Sequence, residues 1–204
     1  LVGSQYFCLR GEFLSAAVAP FREKVKNVLV TFGGADENNL SLRTMDLVLP
    51  ISFNWNSQVF LVTGPGYKYH VAMEKHLASI PEEYRKLIEW VPYGTKKISE
   101  YMSNADFCIT SAGRTVYELT HLQVPAIILA ANERETTHRF GSSVGMEYLG
   151  IHSSVSDTDI IKTVEKLFEN RELRKSIKVK LSKCDLASGS KNVMRRILEL
   201  VERS

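Results

Sequence analysis

The sequence has no long hydrophobic run and few cysteines. No apolar stretch approaches the roughly 18 residues that a membrane-spanning helix needs, so we expect no transmembrane segment. The three cysteines, Cys8, Cys108 and Cys184, are odd in number and match no zinc-binding spacing. We therefore expect reduced thiols in a cytoplasmic protein. Cys108 stands inside an apolar segment and is predicted to lie in the core.

Common catalytic signatures are also missing. The sequence contains no GxSxG nucleophile elbow, no GxGxxG dinucleotide fingerprint and no HExxH metal pair. We therefore predict neither a metal site nor a cofactor, and no nucleophile can be argued from spacing. The chain begins at Leu1 without a Met or a basic-then-apolar signal, and we expect it to be part of a longer protein.

Composition indicates an ordinary globular chain with an uneven charge distribution. The 204 residues are 44% hydrophobic and 24% charged, which is typical of a globular protein, and this length fits one large domain or two small ones. The net charge of +3 conceals ten Lys or Arg against four Asp or Glu from Arg171 to Ser204. Such a basic tail could contact nucleic acid, a membrane surface or an acidic partner domain, or be a solvated helix face. Because no aromatics are interleaved among these charges, we do not expect nucleic-acid binding.

Apolar runs alternate with helical patterns along the chain, which predicts a doubly wound parallel sheet covered by helices on both faces. We assign residues 21–204 to this domain and residues 1–20 to a linker or lead-in strand. One helix is predicted to be capped by Asn38 or Asn39 and ended by Pro50, and another to run from Asn132 to Tyr148. The predicted strands are residues 27–32, 58–63, 87–90, 107–110, 126–130 and 151–153.

The segment from Asp106 to Phe140 carries the strongest functional pattern. It reads as an apolar strand, a small-residue turn, a helix, a second strand and a polar turn, so two loops leave neighbouring strand ends. The turn at Gly113 offers backbone N–H groups to a phosphate, and Glu118 follows one helical turn later as an acceptor for hydroxyls. Arg114 opposes the helix dipole, which we interpret as a sign of a bound anion. These features favour a nucleotide or sugar-nucleotide ligand.

Three other positions keep two interpretations each. Gly33 and Gly34 follow a buried strand, where they form either a tight turn or a phosphate contact. The cluster Asn132-Glu133-Arg134-Glu135 binds a sugar or phosphate, or Glu133 only stabilises a helix start. Arg10 reaches a ligand or forms a surface salt bridge.

Several motifs together resemble a known family. They are FGGADENN, GPGY, MSNADFCITSAGRTVYELTHLQVPAIILAANERETTHRF and DLASGSKNVMRRI. They resemble the C-terminal half of the UDP-sugar hydrolases of pseudaminic acid biosynthesis and of related spore-coat polysaccharide proteins. YFCLRGEF is similar to the segment that leads into that half. SAGRTVYEL is also similar to the UDP-binding motif of the GlcNAc transferase of peptidoglycan synthesis. The resemblance implies a Rossmann-like C-terminal half of a GT-B fold, similar to the C-terminal domain of family 28 glycosyltransferases.

The resemblance also implies site residues. The diphosphate would bind at Gly113, Arg114 and Thr115, and the ribose hydroxyls at Glu118. The uracil would enter the loop at Val91-Pro92-Tyr93, largely through backbone groups. The phosphates or sugar would be bordered by Arg10, Gly33, Gly34, Asn38, Asn132 and Glu133.

The implied activity is that of a UDP-sugar hydrolase in surface polysaccharide or nonulosonic acid biosynthesis. The alternatives are the C-terminal domain of a glycosyltransferase and a non-catalytic nucleotide-sugar-binding module. In the hydrolase the catalytic histidine lies in a glycine-rich loop of the N-terminal half, and nothing here corresponds to that half. We therefore expect this chain to bind UDP or a UDP-sugar, to pair with an N-terminal domain, and not to turn substrate over alone.

Overall fold

A computed structural model describes residues 1–95 and 97–202 of the chain. Its centre is a six-stranded sheet in the order β3-β2-β1-β4-β5-β6, in which every pair of neighbouring strands is parallel. The strands are β1 (Asn27–Val30), β2 (Gln58–Val62), β3 (Ile88–Val91), β4 (Phe107–Thr110), β5 (Ala126–Ala130) and β6 (Glu147–Ile151). The predicted parallel sheet is confirmed.

Helices connect these strands. In chain order they are α1 (Gly11–Leu14), α2 (Leu40–Trp55), α3 (His70–Ser79), α4 (Glu82–Arg85), α5 (Ile98–Asn104), α6 (Thr115–His121), α7 (Glu133–Thr136), α8 (Phe140–Ser143), α9 (Asp157–Glu169), α10 (Arg171–Leu181) and α11 (Gly189–Val201). Two short 3-10 turns cover Ser4–Tyr6 and His152–Ser154. Over the described residues, no helix has the length and apolar character that crossing a bilayer requires.

The core sits between the sheet and its helices. Every residue of β4 and of β5 is buried, because a parallel sheet covered on both faces leaves neither face to water. Cys108 in β4 is fully buried, as predicted. Trp55 of α2 packs against Phe168 of α9, with ring centroids 5.7 Å apart. These contacts join α2 and α9 into one layer.

The strand order places a crevice between β1 and β4. From β1 the chain moves outward to β2, whereas from β4 it moves in the opposite direction to β5. Since parallel crossovers are right-handed, α2 and α6 then lie on opposite faces, and the loops after β1 and β4 diverge. This edge of the sheet is where α/β proteins bind their ligands.

Two helix predictions are wrong. Pro50 does not end α2, which continues to Trp55. Burial of Ile51 in the core helps to offset the hydrogen bond that a proline removes, and the helix ends where Asn56 adopts φ 50°.

The predicted helix from Asn132 to Tyr148 is two single turns, α7 and α8, followed by β6. Gly145 at φ 89° turns the chain out of the helix, and β6 begins four residues earlier than predicted.

Residues 1–20 form the Ser4–Tyr6 turn and α1 where a linker or lead-in strand was expected. Residues 22–27 are held at the amino edge of the sheet by hydrogen bonds to Asp106 and Arg174. Asp106 accepts hydrogen bonds from the backbone N–H groups of Lys26 and Asn27 at 2.6 and 2.9 Å. Arg174, 2% exposed, donates to four carbonyl oxygens, including that of Glu23 at 2.7 Å.

Some basic residues of the tail therefore form hydrogen bonds inside the domain. Lys178 donates to the carbonyl oxygens of Ala19 and Gln123, and burial lowers the pKa of its amine. Burial also lowers the pKa of Arg174. Lys178 and Arg174, two of the basic residues that suggested a binding surface, thus form hydrogen bonds within the domain.

Candidate functional site

A cleft of about 190 Å³ opens at the carboxyl edge of the sheet, at the crevice between β1 and β4. It brings together Arg10 from the lead-in segment, the loops after β1, β2 and β3, and the start of α6. Its lining consists of Arg10, Thr31, Gly33, Gly34, Val62, Gly64, Pro65, Gly94, Thr95, Ile98, Thr115 and Glu118.

Bare backbone forms one wall of the cleft. A Cβ on Gly33 or on Gly34 would meet no atom within 4 Å, so both glycines face open space. Gly64 is different, because a Cβ there would lie 2.5 Å from the carbonyl oxygens of both Gly33 and Gly34. Gly66 N–H also donates to the Gly34 oxygen at 2.9 Å. The GPG motif is thus needed for two cleft loops to touch backbone to backbone.

The loop after β1 is held by Asp36 and Asn38. The buried carboxylate of Asp36 accepts the N–H groups of Leu40 and Ser41, each at 2.8 Å, and so caps α2. Asn39, one of the two residues predicted to cap this helix, occupies the N-cap position, but its side chain makes no capping hydrogen bond. Asn38 instead donates its amide to the carbonyl oxygen of Ala131 at 2.8 Å, which ties the loop after β1 to the loop after β5.

Glu118 is the carboxylate of the cleft, and it is 4% exposed. Arg10 contacts it through Nε and Nη2, both 3.1 Å from Oε1. No described residue donates a hydrogen bond to Oε2, so that oxygen is left to accept from a ligand. Arg10 also pairs with Glu12 at 2.9 Å, so the predicted salt bridge is made, and contact of Arg10 with a ligand stays a prediction.

Burial raises the pKa of Glu118, and the neighbouring Arg10 guanidinium offsets part of that increase. Arg10 can reach Glu118 because the lead-in segment is packed on α6. The ring of Phe7 stacks on Tyr117 at 4.1 Å, and Tyr117 stacks in turn on Phe140 at 4.3 Å. An aromatic column therefore positions the arginine opposite the buried carboxylate.

The loop after β4 presents unpaired backbone donors. Within the described residues, no hydrogen bond is made by the N–H of Gly113, Arg114 or Thr115. The Arg114 side chain has partners of its own: its guanidinium lies 4.9 Å from the centroid of the Phe7 ring and donates to the Cys8 carbonyl at 3.2 Å. These contacts give Arg114 a role without an anion, so its part in ligand binding stays a prediction.

Glu135 and His138 hold this loop, whereas the sequence suggested Glu135 as part of a cluster that binds sugar or phosphate and His138 as a ligand contact or a surface histidine. Oε2 of Glu135 accepts the N–H of Ala112 at 3.0 Å and that of Ala131 at 2.9 Å, which joins the loops after β4 and β5. Nδ1 of His138 lies 2.9 Å from the Ala112 oxygen. Since a carbonyl only accepts, Nδ1 carries the proton. In the sequence, the one indication of this contact was that Glu135 and His138 follow the second strand of the segment from Asp106 to Phe140.

Comparison with known protein families identifies the family of this chain. The sequence model of the glycosyltransferase family 28 C-terminal domain matches residues 27–193, most of the chain. The chain belongs to this family. The matched range starts with β1, reaches into α11, and includes every cleft loop that leaves the sheet.

Two named relatives resemble this family 28 domain. The spore coat polysaccharide biosynthesis protein SpsG of Bacillus subtilis is 23% identical over 178 residues, which cover 86% of this chain and 51% of SpsG. A Helicobacter pylori protein named pseudaminic acid cytidylyltransferase and UDP-2,4-diacetamido-2,4,6-trideoxy-beta-L-altropyranose hydrolase is 27% identical over 159 residues. That match covers 77% of this chain and 25% of the relative. The chain thus spans about half of SpsG and a quarter of the Helicobacter pylori relative.

The solved structures show the same fold. MurG from Acinetobacter baumannii superposes with a TM-score of 0.66 at 19% identity, covering 86% of this chain and 50% of MurG. The family 28 domain therefore has the architecture of one half of a GT-B glycosyltransferase.

In the loop after β3 of the family 28 domain, one of the groups predicted to bind uracil already has a partner within the domain. The carbonyl of Val91 already accepts the N–H of Thr63 at 3.2 Å. Tyr93 adopts φ 62°, is 65% exposed, and stacks on His70 with centroids 4.0 Å apart. Neither Val91 nor Tyr93 lines the cleft; Gly94 and Thr95 do. A base-binding role for this loop stays a prediction.

Asn132 and Glu133 lie beside the cleft and not in its lining. The Asn132 side chain accepts the N–H of Glu135 at 3.1 Å and so caps α7. Glu133 is exposed in the first turn of that helix. The structure therefore shows that Asn132 caps a helix, and ligand contacts by Asn132 or Glu133 stay a prediction.

Among the described residues, no three His, Cys, Asp or Glu side chains are grouped to hold a metal ion. The cleft offers a buried carboxylate, the N–H group of Thr115 and glycine surfaces, whereas Gly113 and Arg114 precede Thr115 and do not line the cleft. Such a set can accept hydroxyl hydrogen bonds and donate to phosphate oxygens.

Proposed function

We propose that this family 28 domain binds UDP or a UDP-sugar in the cleft between the loops after β1 and β4. The observation that carries the proposal is Glu118, a carboxylate only 4% exposed that keeps Oε2 free of hydrogen bonds from the described residues. Burial of a carboxylate is costly unless it has partners. Arg10 is such a partner at Oε1, and a ligand with adjacent hydroxyl groups, such as a ribose, can donate hydrogen bonds to Oε2.

The remaining ligand groups are assigned by chemistry. The diphosphate meets the unpaired N–H groups of Gly113, Arg114 and Thr115, which donate to anionic oxygens. The bare backbone at Gly33 and Gly34 lets the ligand approach without a side-chain clash. The uracil is assigned to the loop after β3. The sugar is assigned to the side of the cleft nearest Asn38, Asn132 and Glu133.

We assign the whole protein to UDP-sugar hydrolysis, in surface polysaccharide or nonulosonic acid biosynthesis. Water would attack the anomeric carbon, the carbon–oxygen bond to the diphosphate would break, and UDP would leave with the bonding electrons. Backbone donors at Gly113 would stabilise the departing negative charge. The residue that activates water is assigned to the N-terminal half, because Glu118 is the only Asp, Glu or His among the described residues that line the cleft, and Arg10 already pairs with it.

An N-terminal half would also cover the exposed face of α11. Met194, Ile197 and Leu198 are 58%, 47% and 54% exposed, although their spacing forms one apolar stripe. The named relatives are longer than this chain, since the matches cover 51% of one and 25% of the other. Leu198→Asp should abolish co-purification of this domain with a separately expressed N-terminal half. Retained association would contradict this assignment of the surface.

Ligand binding by the 204-residue chain tests the proposal directly. Thermal denaturation and titration calorimetry with UDP, uridine, ADP and CMP should show the greatest stabilisation with UDP. At about 100 times its dissociation constant, UDP should add roughly 2.7 kcal/mol to the free energy of unfolding. Equal and negligible shifts with all four compounds would contradict nucleotide binding.

A second candidate function is sugar transfer, which the family assignment favours. It differs from hydrolysis only in what attacks the anomeric carbon. UDP release by the full-length protein from a UDP-sugar without an acceptor would support the hydrolase. Release that requires an added acceptor would support the transferase, and no release at all would support a non-catalytic binding module.

A further inference from the structure

Glu135 places a negative charge at the loop to which we assign the diphosphate. Its Oε1 lies 3.7 Å from the position that a Cβ on Gly113 would occupy. Its Oε2 is held by the N–H groups of Ala112 and Ala131 at 3.0 and 2.9 Å. Over residues 1–95 and 97–202, no Lys, Arg or His side chain forms an ion pair with this carboxylate. The charge therefore faces the loop without a cation to neutralise it.

The same side chain also fixes the loop. Ala112 is held at its N–H by Glu135 and at its carbonyl by Nδ1 of His138, 2.9 Å away. These two contacts determine the orientation of the residue that precedes Gly113, and with it the direction in which the following N–H groups point. A neutral amide oxygen could accept the same two N–H groups, so the clamp itself does not require a charge.

We propose that Glu135 is a positioning residue with two opposed effects on the diphosphate. It holds the Gly113 loop in a binding conformation, and its negative charge weakens the attraction of that loop for phosphate, which favours release of UDP. This inference rests on the proposed function. Like charges a few ångströms apart at a partly exposed site repel one another appreciably.

The two effects are separated by two substitutions. In Glu135→Gln the side-chain oxygen still accepts from Ala112 and Ala131, while an NH2 group that can donate to phosphate replaces Oε1. In Glu135→Ala both the clamp and the charge are lost. Glu169→Gln is the matched control, because it removes an exposed carboxylate next to Phe168, which packs on Phe107 at the opposite edge of the sheet.

Calorimetric titration of the 204-residue chain with UDP and with uridine is the test. Glu135→Gln should bind UDP roughly tenfold more tightly than the unaltered chain, and the gain should shrink as salt screens the charge. Uridine, which lacks phosphate, should bind both equally. Glu135→Ala should bind UDP more weakly than Glu135→Gln, and only in Glu135→Ala should the Ala112 and Ala131 amides exchange faster with deuterium.

Unchanged or weaker UDP binding by Glu135→Gln, with measurable binding by the unaltered chain, would overturn this inference and leave the proposed function standing. A gain of the same size for uridine or in Glu169→Gln would also overturn it, since the effect would then not depend on charge beside the phosphate. If neither the unaltered chain nor Glu135→Gln binds UDP, the proposed function fails and this inference fails with it.

Discussion

Replacing Glu118 with glutamine should weaken nucleotide binding without weakening the fold. The substitution keeps the size of the side chain and removes a charge that is 4% exposed. Arg10 would still have Glu12 as an ionic partner at 2.9 Å. Because burial raises the pKa of Glu118, the charged form is costly in the unliganded chain at neutral pH. We therefore expect the free energy of unfolding of Glu118→Gln to equal or exceed that of the unaltered chain.

The loss in affinity follows from the ribose contacts. A hydrogen bond to a charged group contributes about 1 to 1.5 kcal/mol more than one between neutral groups. Two ribose hydroxyls on Glu118 would then account for about 2 to 3 kcal/mol, or a roughly 30- to 150-fold weaker affinity for UDP. Titration calorimetry measures the affinity, and urea denaturation measures the stability.

The stability difference should depend on pH in a defined direction. A carboxyl group whose folded pKa is raised contributes stability below its unfolded pKa, near 4.5, and loses that contribution as the pH rises through the raised folded value. The unaltered chain should thus lose stability relative to Glu118→Gln over that interval. UDP affinity should move the other way in the unaltered chain and fall on acidification, because the hydroxyls bind the carboxylate.

A deoxy ligand provides the control. With 2′-deoxy-UDP one of the two hydroxyls is absent, so the affinity ratio between the unaltered chain and Glu118→Gln should shrink toward that of a single contact. The same ratio with both ligands, or equal affinities of both proteins for UDP, would refute the assignment of Glu118 to the ribose.

Two further predictions concern the glycine wall of the cleft. Gly64→Ala should destabilise the chain by about 1 to 3 kcal/mol in urea denaturation, because the added methyl group would lie 2.5 Å from the backbone of Gly33 and Gly34. Gly34→Ala is its control and should change stability by no more than about 0.5 kcal/mol, since its Cβ faces open space; equal effects would show that the two loops are not in contact. Gly34→Leu should leave the unfolding free energy near that of the unaltered chain and reduce UDP affinity by at least roughly tenfold, because its side chain would occupy the cleft. Unchanged UDP affinity in Gly34→Leu would place the ligand elsewhere.

Several features could be predicted from sequence because their cause is local or periodic. Apolar runs such as Phe107–Thr110 and Ala126–Ala130 indicate buried parallel strands, since only residues that avoid water fill both faces of such a sheet. The position of Glu118 one turn after Gly113 places it at the cleft without any knowledge of the rest of the chain. Motif resemblance also indicated the C-terminal domain of family 28 glycosyltransferases, which the family model matches over residues 27–193.

The predictions of a capping side chain and of helix termination failed because tertiary contacts outweighed local sequence preferences. Asn38 and Asn39 are good capping residues, yet Asp36 caps α2 because its buried carboxylate reaches two N–H groups. Pro50 normally ends a helix, but the buried residues beyond it keep α2 intact to Trp55. Propensity is a weak prior where burial decides.

The sequence alone determined that this chain is a parallel α/β domain with a small-residue turn and a carboxylate at one strand end. Only the tertiary structure decided which distant groups meet there. Arg10 reaches Glu118 across 108 positions of the chain, and Glu135 joins the loops after β4 and β5. Such contacts depend on strand order and loop direction, and no spacing along the sequence encodes them. The physical reason is that side chains meet where the sheet brings its strand ends together, however far apart they are in the chain.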